Sequence, residues 1–292
     1  MEFLNNYECY KEVSLKKYNT YRIDAKCKYL VFVHSVKELI NLIKELKNKN
    51  IEYIILGNGS NIILAKDYYD KVIIKLDKLN GITFDKERVT VEAGYSLSKL
   101  SFEILKHNLV GLEFASGIPG LVGSSTAMNA GAYNKDMASV IESVVVLEDN
   151  LNIKTLNNSE LEFSYRDSIL KKNKNLIVLS VTLKLSYGDV NLAKELIETR
   201  KKRRIETQPL EYPSSGSVFR NPLDMHAGSL IENCNLKGYN INDAEVSVKH
   251  ANFIINKGNA KGEDIIKLIN VIKSKVKEKY NIDLILEQEI IY

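Results

Sequence analysis

Apolar residues along the first third of the chain follow two rhythms. A dense apolar run at 29–33 predicts a strand. Ser35 closes that run and offers a helix cap, with Glu38 three residues on in the manner of a capping box. Val36, Leu39, Ile40, Ile43 and Leu46 then recur at helical spacing. Further strands are predicted at 51–56, which runs straight into Gly57-Asn58-Gly59-Ser60-Asn61, and at 72–76. These elements make a βαββ unit that ends near residue 79. A strand at 89–92 opens the next unit, followed by a helix that Ser96 caps and that carries Leu97, Leu100, Ile104 and Leu105.

The rhythm lapses from 111 to 133, a stretch holding Gly111, Gly117, Gly120, Gly123 and Gly131. A loop of that length in a compact domain is usually functional. Strands return at 140–147 and 176–185; in the second, Val181, Leu183 and Leu185 alternate with Thr182 and Lys184. A basic helix covers 190–205, and Gln208-Pro209 and Tyr212-Pro213 break the chain at a predicted boundary. Beyond it lie an irregular polar stretch at 214–221, a helix at 262–277 with Ile265, Ile266, Ile269, Ile272 and Val276 on one face, and a closing strand at 284–291.

Composition narrows the function classes. The 292 residues leave room for two or three cores, and 45% hydrophobic content is ordinary for a globular protein. No window approaches the roughly 18 uncharged apolar residues of a spanning helix. Residues 1–10 hold acids and no basic run, so they do not read as a signal peptide, and a cytoplasmic protein is expected. Net charge is only +4, so the lysines read as a solvated surface, and the densest basic run, Lys201-Lys202-Arg203-Arg204, is the one place where a nucleic-acid binder's clustering would be sought. Cys9, Cys27 and Cys234 are far apart, and the four histidines, His34, His107, His226 and His250, show no ligand spacing, so no metal site is expected.

Several segments could carry chemistry. The Gly57–Asn61 turn can bring backbone N–H groups close to a diphosphate. From spacing alone it is equally a plain tight turn, and it is not a dinucleotide fingerprint, because position 62 is Ile and a strand follows. The 111–133 stretch mixes small residues with neutral donors and suits a flat aromatic ligand. In Tyr165-Arg166-Asp167-Ser168, placed just before a strand, the arginine could clamp a carboxylate. Ser215-Gly216-Ser217 can present a hydroxyl on a sharp turn, but neither a GxSxG elbow nor a Ser-His-Asp order accompanies it. Glu287 and Glu289, two apart in the last strand, share a face.

Six runs, LGNGSNIIL, GLEFASGIPGLVGSSTAMNAGAY, YRDS, QPLEYPSSGSVFRNP, LKGYNINDAEVSVKHANFIIN and LEQEI, taken together and in this order, resemble the UDP-N-acetylenolpyruvoylglucosamine reductase (MurB) family over about residues 19 to 291. The resemblance implies an α/β (α+β) fold. It would have a two-domain FAD-binding unit of the vanillyl-alcohol-oxidase superfamily at 1–79 and 80–203, the latter joined by the closing strand at 285–292. A third, substrate-binding α/β domain would cover 204–284. It implies non-covalent FAD held by Gly57, Asn58, Gly59, Ser60, Asn61, Ser116, Gly117, Ile118, Gly123 and Arg204. Arg166, Ser217 and Glu289 match the family's catalytic trio, with Glu287 the rejected alternative; Tyr165, Asn221, Lys237 and His250 match substrate-side positions. The implied reaction is NADPH-dependent reduction of a UDP-sugar enolpyruvyl ether in peptidoglycan precursor synthesis, by a monomer with no nucleic-acid or membrane partner. The family's double glycine is Gly123-Ser124 here, its early Gly-Gly-Pro-Ala is Asp24-Ala25-Lys26-Cys27, and the short span between Leu185 and Lys201 has no room for the tyrosine loop of the longer subtype. Two competing readings are another FAD oxidoreductase of the same superfamily and a nucleotide-sugar-binding protein without catalysis. No His or Cys lies in the flavin-lining runs to tether a cofactor, and the intact trio argues for catalysis.

Overall fold

The computed structural model describes residues 1–292. The chain divides into two compact units, one of residues 1–10, 29–58 and 71–201, the other of 11–28, 59–70 and 202–292.

The core of the first unit follows from the predicted rhythms. The helix Val36–Asn48 begins where Ser35 Oγ accepts from Glu38 N, and it buries Leu39, Leu42, Ile43 and Leu46. The Glu38 carboxylate accepts from His34 N at 2.8 Å, one residue before the position that a capping box uses. Tyr53–Leu56 pairs in parallel with Tyr68–Lys75, from Tyr53 opposite Val72 to Leu56 opposite Lys75. These strands belong to a four-stranded sheet with Lys26–Phe32 and an outer strand, Glu8–Ser14, which the apolar pattern does not announce because none of its residues is buried. The second sheet is antiparallel throughout, in the order Ile153–Asn157, Ile141–Leu147, Ile177–Lys184, Arg88–Glu92, Ile82–Asp85. Val89, Val91, Val144, Val146, Val181 and Leu183 of its three central strands are fully buried, as strand alternation demands. The helix Leu97–Glu103, capped by Ser96 as expected, adds Leu97 and Leu100 to that core.

The 111–133 stretch is more ordered than its lapse in rhythm implied. It contains a one-and-a-half-turn helix, Val122–Ala127, and leads into a tight hairpin of Gly131–Ala132 with Lys135–Asp136. Tyr133 and Asn134 turn that hairpin with φ of +56° and +58°, the left-handed values that two-residue hairpins require. The element after Tyr165-Arg166-Asp167-Ser168 is also not the expected strand. Ser168 Oγ accepts from Lys171 N and starts a short helix, Ile169–Lys172.

In the second unit the helix Gly262–Tyr280 buries Ile265, Leu268, Ile269, Ile272 and Val276. It packs on the short strands Asn240–Ile241, Ala244–Val246 and Ile62–Leu64. Gly262 is required there, since a Cβ would fall 1.7 Å from Leu64 O. Asn281, at φ +56°, ends the helix in the left-handed conformation. The closing segment was expected to be one strand joined to residues 80–203. It changes partners instead: residues 285–287 run antiparallel to 218–220, and Glu289–Ile291 pairs in parallel with Ile62–Leu64. No helix is long and apolar enough to cross a membrane.

Candidate active site

The first unit brings three sequence motifs together. The glycine turn meets the 116–124 stretch: Asn58 Nδ2 donates to Pro119 O at 2.5 Å, and a Cβ on Gly57 would lie 3.1 Å from Ser124 Oγ. The serine that replaces a family glycine at 124 thus stands directly over Gly57. Gly123 N donates to Ala93 O at 2.9 Å, and a Cβ at 123 would come within 2.7 Å of Ala93 Cβ, so this glycine permits close backbone packing. Ser116 Oγ donates to Glu113 O at 3.0 Å, Ser116 O accepts from Ser98 Oγ at 2.5 Å, and Ile118 N donates to Ala115 O, while Gly117 is half-buried between them.

Beyond this stretch, the hairpin at 131–136 receives the third motif. Asn129 Nδ2 donates to Ser164 O at 2.9 Å and to Asp136 Oδ2 at 3.0 Å, and Ser168 Oγ donates to Ala127 O at 2.7 Å. Arg166, at φ +58°, sends a guanidinium N–H to Gly131 O at 2.7 Å. A non-glycine residue held in this region stores strain, and such residues cluster at functional sites. The Tyr165 ring, 53% exposed, lies with its centroid 5.3 Å from Arg166 Cζ.

Sequence reasoning missed Lys75. It closes the strand Tyr68–Lys75 with a side chain only 1% exposed, donates its ammonium to Gly57 O, and lies 3.1 Å from the Asp77 carboxylate. Burial pulls the ammonium's pKa below its ordinary 10.5, with Asp77 opposing. In the sequence it is a lone polar residue within the apolar run 72–76; the carbonyl it serves lies 18 positions earlier.

The second unit brings Ser217 and Glu289 onto adjacent segments. Val218 O accepts from Glu287 N at 2.8 Å, and Arg220 N donates to Ile285 O at 2.9 Å. Glu289 N donates to Asn61 O at 2.9 Å, and Asn61 Nδ2 to Glu287 O at 3.1 Å, so the far end of the glycine turn is bonded to the same segment. Gly59, at φ +64°, admits no side chain, because a Cβ would meet Tyr18 O at 2.2 Å. Next to it, Ser60 is half-buried. Asn252 clamps the Ser217 segment, accepting from Phe219 N at 3.0 Å and donating to Phe219 O at 2.8 Å. The KHANFIIN run therefore serves first as a brace.

The substrate-side candidates of this unit surround the helix Ala227–Asn233. Asn221 Oδ1 accepts from Ala227 N at 3.1 Å, Lys237 Nζ pairs with Glu232 at 2.6 Å, and a Cβ on Gly228 would lie 3.4 Å from His250 Cε1. Burial lowers the His250 pKa below its usual 6.5, and Asn252 N donates to its Nδ1 at 3.2 Å. The ring is therefore neutral at neutral pH, with its proton on Nε2. Arg204 is half-buried in the helix Val190–Thr207.

Comparison with known proteins settles the relationship. Residues 208–291 match the family described as UDP-N-acetylenolpyruvoylglucosamine reductase, C-terminal domain, and residues 27–153 match the FAD binding domain family. A UDP-N-acetylenolpyruvoylglucosamine reductase of Caldanaerobacter subterraneus subsp. tengcongensis is 42% identical over 99% of this chain and 96% of its own length. One from Clostridium novyi is 42% identical over 99% and 94%. The crystal structure of UDP-N-acetylenolpyruvylglucosamine reductase (MurB) from Thermus caldophilus superposes with a TM-score of 0.81 at 32% identity, over 96% of this chain and 98% of that one.

The chain belongs to the UDP-N-acetylenolpyruvoylglucosamine reductase family. It is an FAD-dependent oxidoreductase with the expected α/β FAD-binding fold. The residues present fit that cofactor. Gly123 leaves no room for a side chain, Gly57 leaves little, and a buried ammonium backs the turn suited to a diphosphate. Thr126 Oγ1, fully buried in the 116–126 run, has no partner among the protein's own groups.

Proposed function

We propose that this enzyme reduces the enolpyruvyl ether of a UDP-N-acetylglucosamine to UDP-N-acetylmuramate with NADPH, in peptidoglycan precursor synthesis. Full-length similarity to reductases of that name supports the substrate, and the adjacency of Ser217 and Glu289 in one unit supports the chemistry. Nucleoside-diphosphate sugars and NADPH do not cross membranes unaided, so the working compartment is the cytoplasm. Residues 204–284 act as the substrate domain, and 1–79 with 80–203 hold the cofactor.

The Gly57–Asn61 turn, Ser116, Gly117, Ile118, Gly123 and Arg204 hold FAD. Bound there, FAD would supply the redox chemistry, a hydride relay from NADPH to the CH₂ carbon of the enolpyruvyl group. Charge then develops on the neighbouring carbon and spreads into its carboxylate. The Arg166 guanidinium and Glu289, as a hydrogen-bonding acid, stabilise that enolate. The Ser217 hydroxyl gives its proton to the carbanionic carbon, and solvent restores it. A serine is a weak acid in water, but a carbanion is a far stronger base, and a dry site strengthens the contrast. Tyr165, Asn221, Lys237 and His250 bind the rest of the UDP-sugar.

A visible spectrum tests this reading. The purified protein is expected to show a flavin spectrum that bleaches on anaerobic addition of NADPH and recovers on adding the enolpyruvyl UDP-sugar. A protein that stays colourless with added FAD overturns the proposal. Bleaching without recovery removes the substrate and keeps the flavoenzyme.

A further inference from the structure

The closing segment changes partners at Gln288. On one side Glu287 N donates to Val218 O; on the other Glu289 N donates to Asn61 O. The Gln288 side chain at that switch is 3% exposed. Its Nε2 donates to Ser215 O at 3.0 Å and fans toward Gly216 O at 3.3 Å and Ser217 O at 3.4 Å. Its Oε1 accepts from Tyr21 Oη at 3.0 Å. The orientation is fixed by chemistry, because the reversed amide would aim an oxygen at three carbonyl oxygens.

Three successive carbonyls that converge on one point repel one another, and the chain holds them only with a donor at that point. The turn that points them there passes through Gly216 at φ +74°, with no atom near enough to meet a Cβ. That glycine is required by its backbone conformation and not by close packing. Tyr21, fully buried, anchors the other end of the amide, and its own carbonyl accepts from Asn256 Nδ2 at 2.8 Å. Burial pushes the Tyr21 hydroxyl well above its ordinary pKa, so it remains a donor across the working range.

We propose that Gln288 is a positioning residue for the reduction step, its carboxamide locking the Ser215–Ser217 turn and Glu289 into one register and taking its own orientation from Tyr21. This rests on the roles given above to Ser217 and Glu289. A neutral amide is the side chain that fits: a glutamate here would set acceptors against acceptors, and a methionine of similar volume would fill the space without donating. A displacement of about 1 Å in a reacting group can slow chemistry about 100-fold.

The test uses the full-length holoenzyme and separates the two half-reactions by stopped flow. In Gln288→Met, flavin content and reduction by NADPH stay within about twofold of the parent, while reoxidation by the enolpyruvyl UDP-sugar slows about 100-fold. The loss is expected in kcat, with KM for the sugar little changed. Tyr21→Phe slows the same half-reaction about 3- to 10-fold, and adding it to Gln288→Met slows nothing further, because the phenol acts through the amide. Reoxidation within about twofold of the parent in Gln288→Met overturns the proposal, as does a parallel loss of both half-reactions. If Gln288→Met does not fold, Tyr21→Phe decides, and an unchanged reoxidation rate overturns the role. Ser217→Ala is run alongside. If it is slow and Gln288→Met is not, only the positioning role falls; if Ser217→Ala reoxidises normally, the catalytic assignment falls and the Gln288 role with it.

Discussion

Two turns carry the proposed chemistry, and they are held by opposite means. The Gly57 turn is tied down by a buried cation, Lys75, with Asp77 as its counter-charge. The Ser215–Ser217 turn is tied down by a neutral amide, Gln288, with a phenol as its anchor. Burying an ammonium is unfavourable unless something nearby needs the charge. In the proposed reading, the diphosphate of FAD would supply that need at the first turn. At the second, the proposed charge appears only in passing, and a neutral amide holds the turn without adding a further ion beside the serine. The contrast matches the roles proposed for each turn: a standing anion in one place, a transient one in the other.

The sharpest way to break this contrast is at the transient-charge turn. Ser217→Ala is expected to slow reoxidation of the reduced enzyme by the UDP-sugar about 10²- to 10⁴-fold, the usual range for a positioned proton donor. Reduction by NADPH should survive, and a fall in reduction that matched the fall in turnover would remove Ser217 from its role. Glu289→Gln keeps the size but removes the acid proposed to stabilise the enolate, at about 2–4 kcal/mol of transition-state stabilisation. Steady-state turnover reads that loss directly, and an unchanged kcat would return Glu289 to a structural part in the strand Glu289–Ile291.

The elements that periodicity reveals are those that bury a full face. Val36–Asn48 and Gly262–Tyr280 do so, as do the central strands of the five-stranded sheet, and all were legible. Ile82–Asp85 and Ile153–Asn157 lie at the sheet's edges with one buried residue between them, and the strands of the second unit's sheet are two or three residues long, too short to show a period. Ser168 reads as a turn residue before a strand, but its hydroxyl caps a helix, a choice set by Lys171 N and Ala127 O together. The site residues came from resemblance rather than rhythm. What neither could give was the bracing. Gln288 sits between two glutamates that draw the eye, and its partners are 73 and 267 positions away. Lys75 interrupts an apolar strand, which gives no hint that its ammonium is buried.

The standing-anion turn can be tested through affinity instead of rate. Lys75→Met removes the donor to Gly57 O and the local positive charge, and is expected to weaken FAD binding by about 1–3 kcal/mol, about 5- to 150-fold. Flavin fluorescence quenching on titrating the apoprotein measures this without turnover. The pH dependence carries a sign. Burial holds the Lys75 pKa below 10.5, and a bound diphosphate favours the protonated form. FAD affinity should therefore fall as pH climbs through the depressed pKa toward 10.5, and this component should be missing in Lys75→Met. Equal slopes in the two proteins would deny the ammonium its role as counter-charge.

The smallest expected effect sits where this chain departs from its family. A Cβ on Gly57 would lie 3.1 Å from Ser124 Oγ and 3.3 Å from Ser124 Cβ, a few tenths of an ångström too close. Gly57→Ala is expected to weaken FAD binding by about 1 kcal/mol, the lower end of overpacking penalties. Ser124→Gly, which restores the family's double glycine, should relieve that penalty in the double variant while changing affinity little by itself. Gly59→Ala provides the contrast, since its φ of +64° and the backbone of Tyr18 at 2.2 Å leave nothing that can move aside. Titrating FAD into the parent, the two single variants at 57 and 124 and their double gives the coupling energy between those positions. A Gly57→Ala defect that Ser124→Gly fails to relieve would show that the alanine acts on the turn itself, with the neighbouring helix uninvolved.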